Sequence, residues 1–418
     1  MKRLFSIFLM CVMVLTLLSG CNNAPAGTKT ANTGNPAGAA GVSGSSGDKG
    51  LTINIWTNFM VEADLLQKYA DKWAEKTGNK VTVTNTSIEL EQFAQATNTP
   101  DGPDGVFGVP NDKLSSFATA GLVAEVPAGF YSDKDYVDAA VQACYYEGKR
   151  YGVPVAVETI TLFYNTDKVK TPPKTWDELL SAAKTSGGIK FDATSIYYDL
   201  GFLRAFEGYI FKWENGMYHV DDIGLGNEGA VLGYSYIQKM ADEGFITADI
   251  TFDIAKSSFE HGETAFYIGG PWDVDAFTSA GVNFAVSEMP TLNGKPFVTP
   301  VGTQVAFVSS KSAKKDAVWD LYKFLIEEAS VEMYEVGERI PAKLSIQQQI
   351  KADEITEAFM EQIANGEPLP SVPELGYVWV PYADNMRLMF SKQITPEEAA
   401  KYIEAQFKEA IELMHSGK

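Results

Sequence analysis

The amino-acid sequence predicts an α/β fold, because segments typical of strands and of helices alternate along the chain. Leu51–Thr57 alternates apolar and polar residues, as a half-buried strand does. A helical pattern over Glu62–Lys76 follows and stops at Gly78, and Val81–Thr84 has the composition of a second strand. The chain has 418 residues, of which 45% are hydrophobic, so it can bury a substantial core. We therefore expect α/β lobes with a mostly parallel sheet.

The same alternation continues towards the C-terminus. Strands are predicted at Val106–Val109, Glu263–Ile268 and Val305–Ser309, and helices at Ser115–Ala120, Glu228–Asp242 and Lys314–Glu328. Two more helices begin with the pattern of a capping box, in which a threonine caps the helix and a glutamate three residues later bonds back to the cap. These pairs are Thr175 with Glu178 and Thr395 with Glu398.

The N-terminal segment has the features of an export signal. Met1–Arg3 is basic and Leu4–Leu17 is almost unbroken apolar sequence, too short for a comfortable membrane span. Leu18–Cys21 resembles the bacterial lipobox, which implies a signal peptide over residues 1–20 and a lipid on Cys21. The alternative is an ordinary cleaved signal with a cysteine there by chance. Residues 22–50 consist almost wholly of small and polar residues, so 21–50 is predicted to be an anchored, flexible tether.

Charge and residue spacing argue against several classes of partner. The formal net charge is −20, so the chain should repel nucleic-acid phosphates, and no nucleic-acid partner is expected. The three histidines, His219, His261 and His415, are far apart and lack metal-ligand spacing. Cys144 is the only thiol in the body of the chain, which leaves no internal disulfide. We expect no metal and no cofactor.

Several motifs, in a fixed order, carry a resemblance to a known family. The long ones are Gly148–Asn165, Thr171–Glu178 and Phe259–Trp272, and the short ones are Asp101–Asp104, Lys212–Gly216 and Pro373–Trp379. From about Leu51 to its end, the chain resembles the bacterial maltose/maltodextrin-binding proteins of ABC importers, within extracellular solute-binding protein family 1. The order of the motifs and their spread over the chain make the resemblance specific.

The resemblance implies a periplasmic-binding-protein-like fold of class II, with two α/β lobes, a multi-strand hinge and a ligand cleft between the lobes. One lobe is expected at 51–157 plus 306–353, and the other at 160–300 plus 356–418. The implied function is non-enzymatic capture of maltose and maltodextrins by lobe closure, for delivery to the transmembrane subunits of an ABC permease. We expect a monomer, held by its lipid at the extracytoplasmic face of the cell membrane.

A sugar site needs flat aromatic rings for the C–H faces of a pyranose and polar groups for its hydroxyl edge. The resemblance assigns the aromatic role to Trp272, Trp379 and Tyr197, with Tyr198 beside it. The alternative for each is a core residue, since tryptophan and tyrosine are usually largely buried.

The resemblance also assigns polar contacts with the sugar. Glu158 would accept hydrogen bonds from hydroxyl groups, and its alternative is a structural ion pair at the hinge. Asn58 is a binding candidate whose alternative is a turn or a helix cap. Asp112 and Lys113 occupy the place of an acidic and basic pair, but the lysine replaces the usual arginine and loses its planar fork.

Departures from the family pattern leave the exact ligand open. Ser195 stands where an acidic residue is usual, Ala383 replaces a basic residue, and Gly108–Pro110 lacks a usual tryptophan. Another oligosaccharide or a sugar alcohol is therefore an alternative ligand. A secreted glycosidase is the less favoured alternative, because the sequence offers no convincing second carboxylate to work with Glu158.

Overall fold

The structure is a computed structural model that describes residues 49–417. The predicted signal peptide, Cys21 and the tether up to residue 48 lie outside the described residues. Among residues 49–417, no helix combines the length and the apolar character that crossing a membrane requires.

Strands and helices alternate through most of the described chain. The strands are β1 (Thr52–Thr57), β2 (Lys80–Asn85), β3 (Gly105–Pro110), β4 (Tyr145–Tyr146), β5 (Lys149–Arg150), β6 (Val153–Thr159), β7 (Thr161–Asn165), β8 (Ile189–Lys190), β9 (Tyr209–Glu214), β10 (Met217–Gly224), β11 (Phe266–Gly269), β12 (Phe284–Ser287), β13 (Pro300–Val308), β14 (Ile340–Pro341) and β15 (Glu367–Pro368). The helices are α1 (Ala63–Thr77), α2 (Leu90–Ala96), α3 (Leu114–Thr119), α4 (Asp138–Gln142), α5 (Trp176–Ser186), α6 (Ile196–Arg204), α7 (Glu228–Asp242), α8 (Phe252–Glu260), α9 (Val274–Ser279), α10 (Lys315–Gly337), α11 (Leu344–Gln347), α12 (Glu354–Ile363), α13 (Trp379–Phe390) and α14 (Pro396–Ser416).

Two mixed sheets organise these elements. The first has the order β14-β6-β13-β3-β1-β2, with β15 beside β13, and the second has the order β12-β7-β11-β8. β1 is parallel to β2 and β3, whereas β13 is antiparallel to β3 and β6, so the expectation of a mostly parallel sheet was wrong. Parallel neighbours need a crossover, usually a helix. β13 follows β12 of the other sheet with no helix between them, so nothing requires it to run parallel.

The chain passes between the two sheets at a short break. β6 of the first sheet ends at Thr159 and β7 of the second begins at Thr161, so Ile160 alone separates them. β13 lies wholly in the first sheet from Pro300 onwards, six residues before the expected start of that segment at 306. Division of the chain into two hinged lobes at these points stays a prediction.

Each sheet contributes to a large cluster of buried apolar side chains. Ile53 and Ile55 of β1 pack in one cluster with Trp319 of α10. Leu162 of β7 and Ile268 of β11 belong to another, which includes much of helices α5, α7 and α14. Burial at about 25 cal/mol per Å² makes such clusters the main stabilising contribution.

Local signals fixed several element ends. Both predicted capping boxes are confirmed. The backbone N–H groups of Glu178 and Glu398 donate to the hydroxyls of Thr175 and Thr395, respectively, each at a distance of 3.2 Å. Gly78 ends α1 with φ of 77°, a left-handed conformation that favours glycine. α10 extends to Gly337 rather than 328 and ends at Glu338, which is left-handed and donates its N–H to the Tyr334 carbonyl. β11 begins at Phe266 rather than 263.

Candidate functional site

Trp272 lies at the end of a buried strand, on a turn that leaves room for a large ring. β11 ends at Gly269, and a short 3-10 helix, Pro271–Asp273, follows it. A Cβ added at Gly270 would lie 2.3 Å from the Trp272 ring, so the ring keeps this position only beside a glycine. The Trp272 side chain is 44% exposed, which is unusual for a large apolar residue. The turn therefore presents the indole to solvent instead of packing it in the core.

A buried carboxylate holds this turn in place. Asp273 is fully buried and accepts hydrogen bonds from the Tyr267 hydroxyl at 2.9 Å and from the Gly270 N–H at 3.3 Å. The Lys256 ammonium lies 3.2 Å from its other oxygen. Burial raises the pKa of Asp273, and these donors oppose that effect. Because Asp273 directly follows Trp272, the three contacts also fix the position of the ring.

Trp272 lines a cavity of about 230 Å³, named here the Trp272 cavity. Its polar and aromatic lining consists of Trp272, Glu158, Gln304, Arg339, Asp275 and Glu338. The Arg339 guanidinium lies 3.7 Å from the Glu158 carboxylate, and its Nε donates to Glu62 at 2.8 Å. Burial raises the pKa of Glu158, while Arg339 and the Gln304 side chain lower it in part. The cavity thus combines one flat ring with a carboxylate, a guanidinium and an amide.

Trp379 lines a second cavity of about 370 Å³, named here the Trp379 cavity. Its lining includes Trp379, Tyr197, Asp112, Ser116, Asn111 and Glu158. Trp379 begins α13 and is 37% exposed, and Tyr197 lies on α6. Burial raises the pKa of the Tyr197 phenol, with a contribution from the Glu158 charge. Glu158 lines both cavities, so the Trp272 cavity and the Trp379 cavity are neighbours that share one carboxylate.

Asn111 is a buried wall residue of the Trp379 cavity. It is buried, its side-chain amide donates to the Ser371 hydroxyl at 2.9 Å, and its oxygen accepts from the Thr303 N–H at 3.0 Å. Thr303 belongs to β13, so one side chain links that strand to the segment after β15. A buried amide that is bonded on both sides gives this wall a fixed geometry.

Three of the residues predicted for the site line neither cavity. Tyr198 is 8% exposed and packs in the apolar cluster beneath Tyr197, whose ring centroid lies 5.4 Å away. The Lys113 ammonium donates to the Ile88 carbonyl at 3.0 Å and pairs with Glu89 at 2.9 Å. The Asn58 N–H donates to the Gly108 carbonyl at 3.4 Å. Contact of these three side chains with a ligand stays a prediction.

The structure also adds to the site two residues that no sequence motif indicated. Arg339 follows the end of α10 and precedes β14, and Gln304 lies within β13. Both reach the Trp272 cavity only because β13 and β14 pair with β6, the strand that carries Glu158. Sheet pairing between segments so distant along the chain has no local signature, and a lone charged residue before a short strand predicts nothing by itself.

The described residues show no arrangement suited to a metal ion. Among residues 49–417, no group of three or more histidine, cysteine, aspartate or glutamate side chains lies close enough together to hold one. Cys144 is a free, fully buried thiol, and burial raises its pKa, which makes it a poor nucleophile. The chemistry that this site offers is stacking against rings and hydrogen bonding to a carboxylate, an amide and a guanidinium.

Comparisons with known proteins identify the family of the chain. A family model described as bacterial extracellular solute-binding protein matches residues 68–359. A galactooligosaccharide-binding protein of Bacillus subtilis (strain 168) is 34% identical over 338 residues, which are 76% of this chain and 80% of that protein. A maltooligosaccharide ABC transporter solute-binding lipoprotein of Streptococcus pneumoniae serotype 4 is 30% identical over 371 residues, 83% of this chain and 86% of that protein.

A solved structure of a cyclo/maltodextrin-binding protein complexed with maltotetraose is 28% identical and has a TM-score of 0.84. The match covers 88% of this chain and 100% of that chain. This similarity confirms the predicted periplasmic-binding-protein-like α/β fold. Since the family model spans well over half of the sequence, the chain belongs to the bacterial extracellular solute-binding protein family.

Proposed function

We propose that this protein is the substrate-binding lipoprotein of an ABC sugar importer, and that it binds malto-oligosaccharides between two hinged lobes. The observation that carries the proposal is the pair of exposed tryptophans, Trp272 and Trp379, on two cavities that share Glu158. Each ring suits the apolar face of a pyranose, and Glu158 suits its hydroxyl groups. Two such cavities side by side suit a chain of sugar rings better than a single ring.

The mode of action follows from capture without chemical conversion. The lobes close on the ligand, and the closed protein delivers it to the transmembrane subunits of the permease. The S. pneumoniae relative is named an ABC transporter lipoprotein, which supports a lipid anchor at Cys21 and a place at the extracytoplasmic face of the membrane. A monomer suffices for this role, because all residues proposed for the site belong to one chain.

A second candidate ligand is a galacto-oligosaccharide. The B. subtilis relative of that name is 34% identical to this chain, against 30% for the maltooligosaccharide-binding relative. Ser195 and Ala383 replace the acidic and basic residues usual in maltodextrin binders. Ser195 is the N-cap of α6 and Ala383 lies on α13, the two helices that contribute Tyr197 and Trp379 to the Trp379 cavity. A change of polar groups there would alter which hydroxyl orientations are recognised.

A thermal-unfolding panel distinguishes the two ligands. Maltotriose, maltotetraose, a β-galacto-oligosaccharide and sorbitol are each added to the purified mature protein. A ligand at a hundred times its dissociation constant stabilises the folded state by about 2.7 kcal/mol, which shifts the midpoint by several degrees. A shift with the α-glucans alone supports the first proposal, and a shift with the galactoside alone supports the second. No shift with either oligosaccharide would contradict both.

The same samples test the assignment of a non-enzymatic role. Maltotriose and the galactoside are incubated with the protein, and released monosaccharide is measured over time. We expect no steady release. Continued turnover, lost when Glu158 is replaced by glutamine, would indicate a glycosidase instead.

A further inference from the structure

A third cavity, of about 280 Å³, lies outside the two cavities that share Glu158. It is bounded by β9 and β10, which pair as an antiparallel hairpin, by α6, by the segment that starts with β15 and by Gln142 at the end of α4. It is named here the hairpin cavity. The side chains used below are Arg204, Lys212, Trp213, Tyr218, Glu367 and Pro370. Pro370 also lines the Trp379 cavity, but neither Trp272 nor Trp379 reaches the hairpin cavity. The two regions can therefore be altered separately.

Packing on two sides fixes the ring of Trp213. Its centroid lies 4.6 Å from that of Tyr218 at an interplanar angle of 55°, and 6.4 Å from that of Tyr145, edge-on. The Tyr218 hydroxyl accepts a hydrogen bond of 2.8 Å from Gln142, which fixes the supporting ring in turn. Trp213 is half-buried, so part of the indole faces the cavity. A fixed, partly exposed tryptophan is the same kind of surface that Trp272 presents.

A partly exposed ion pair lines the same cavity as this ring. The Arg204 guanidinium is 2.9 Å from the Glu367 carboxylate, and both side chains are about two-thirds buried. The Arg204 Nε–H is buried and has no partner among the described residues. The pair offers donors and an acceptor together, as the vicinal hydroxyls of a sugar require.

The charges around the hairpin cavity are balanced. Arg204 pairs with Glu367 at 2.9 Å, and Lys212 lies 3.9 Å from Glu214. Each of the two cations in the lining has an anion as partner, which reduces the attraction of the cavity for a phosphate, and the cations disfavour a metal ion. Its volume of about 280 Å³ is just below the range of about 300–1,000 Å³ for small-molecule sites, which suits one sugar ring better than an oligomer.

We propose that the hairpin cavity is a second carbohydrate site, which takes a single neutral sugar ring against Trp213 and the Arg204–Glu367 pair. The site stands apart from the cleft, whichever oligosaccharide the cleft binds. It gives the protein a place for a monosaccharide, or for the end of a second glycan chain.

The test uses the full mature protein with both cleft platforms removed by Trp272→Ala and Trp379→Ala. D-Glucose and D-galactose are the probes, and binding is measured by saturation-transfer NMR on the sugar protons. We expect a signal from at least one sugar in this background. Adding Trp213→Ala should weaken binding by about fivefold or more, as removal of an aromatic anchor does. Absence of a signal from either sugar in the background variant would overturn the proposal.

A matched pair of arginine variants separates the site from general effects on folding. Arg204→Met removes the donors of the hairpin cavity, whereas Arg387→Met removes an arginine that pairs with Asp384 at 3.1 Å on the exposed side of α13. Both are made in the cleft-deficient background, and thermal unfolding confirms that each is folded. Weaker sugar binding in Arg204→Met alone supports the second site. Equal signals from both variants, or an unchanged signal with Trp213→Ala, would overturn it.

Discussion

The Tyr382 hydroxyl donates a 2.9 Å hydrogen bond to the Asp199 carboxyl group, and both side chains are fully buried. Asp199 lies on α6, two residues after Tyr197, and Tyr382 lies on α13, three residues after Trp379. This one contact therefore joins the two helices that carry the aromatic rings of the Trp379 cavity. The second oxygen of Asp199 has no partner among the described residues, and burial raises the pKa of this carboxyl group well above its usual value.

Replacing Asp199 with asparagine should stabilise the protein at neutral pH. A raised pKa in the folded state means that the carboxyl group favours folding when protonated and opposes it as pH rises from about 4, the value in the unfolded chain. Asparagine is neutral and keeps an acceptor for Tyr382. We expect the difference in unfolding free energy to grow steadily from about pH 4 towards pH 7, as measured by urea denaturation at several pH values. Parallel pH profiles for the two proteins would contradict this.

Removing Trp272 or Trp379 should weaken oligosaccharide binding without unfolding the protein. Trp272→Ala and Trp379→Ala should each reduce affinity about tenfold or more, since an aromatic anchor contributes on the order of 1–3 kcal/mol. Isothermal calorimetry with the ligand found in the thermal panel measures the change. Val380→Ala is the control, because Val380 adjoins Trp379 and is 70% exposed. Unchanged affinity in either folded tryptophan variant would remove that ring from the site.

Affinity should fall on acidification because Glu158 must be ionised to accept hydroxyl hydrogen bonds at both oxygens. Burial raises its pKa above the usual value near 4.5, so affinity should be full at neutral pH and decline as pH falls towards and through that raised pKa. Glu158→Gln should bind more weakly at pH 7 and show a flatter profile. Calorimetry between pH 4 and pH 8 gives both curves. A wild-type profile as flat as that of the variant would exclude this role for the carboxylate.

Arg339→Met should destabilise the fold as well as the site. Arg339 donates to Glu62, which is 1% exposed, and its guanidinium stacks 4.8 Å from the centre of the Phe59 ring. Without the arginine, a buried carboxylate has lost its cation, which costs about 3–5 kcal/mol in unfolding free energy. The double variant Glu62→Gln/Arg339→Met should recover much of this loss in chemical denaturation. A double variant less stable than Arg339→Met would show that the pairing is not the cause.

The sequence predicted those elements that carry their own signals. Thr175 and Glu178 form a signal of four residues that marks the start of α5, and Gly78 marks the end of α1. The strand over Thr161–Asn165 is buried on both faces and shows no alternation, so periodicity gave no assignment there. The direction of β13 depends on the position of the preceding strand, β12, in the other sheet, and no local sequence pattern indicates that position. Mixed sheets were therefore missed while the α/β class was confirmed.

Within the candidate site, the resemblance identified the residues that lie in distinctive motifs. Residues without such a motif could not be predicted from the sequence. Trp272 follows a Gly-Gly-Pro turn and Glu158 ends an apolar run, so both were recognisable, and the structure brings them to one cavity. Arg339 has no such motif and reaches Glu158 through strand pairing alone. Lys113 matches the position of the basic residue of the family's acidic and basic pair. In the structure its ammonium forms an ion pair with Glu89.

A crystal structure of the mature protein with bound maltotriose tests the central claim most directly. The account predicts a glucose ring stacked on Trp272 or Trp379, with a sugar hydroxyl within hydrogen-bonding distance of Glu158 Oε1 or Oε2. Maltotriose bound away from both indole rings, or both rings folded into the apolar clusters with Glu158 contacting protein alone, would contradict it.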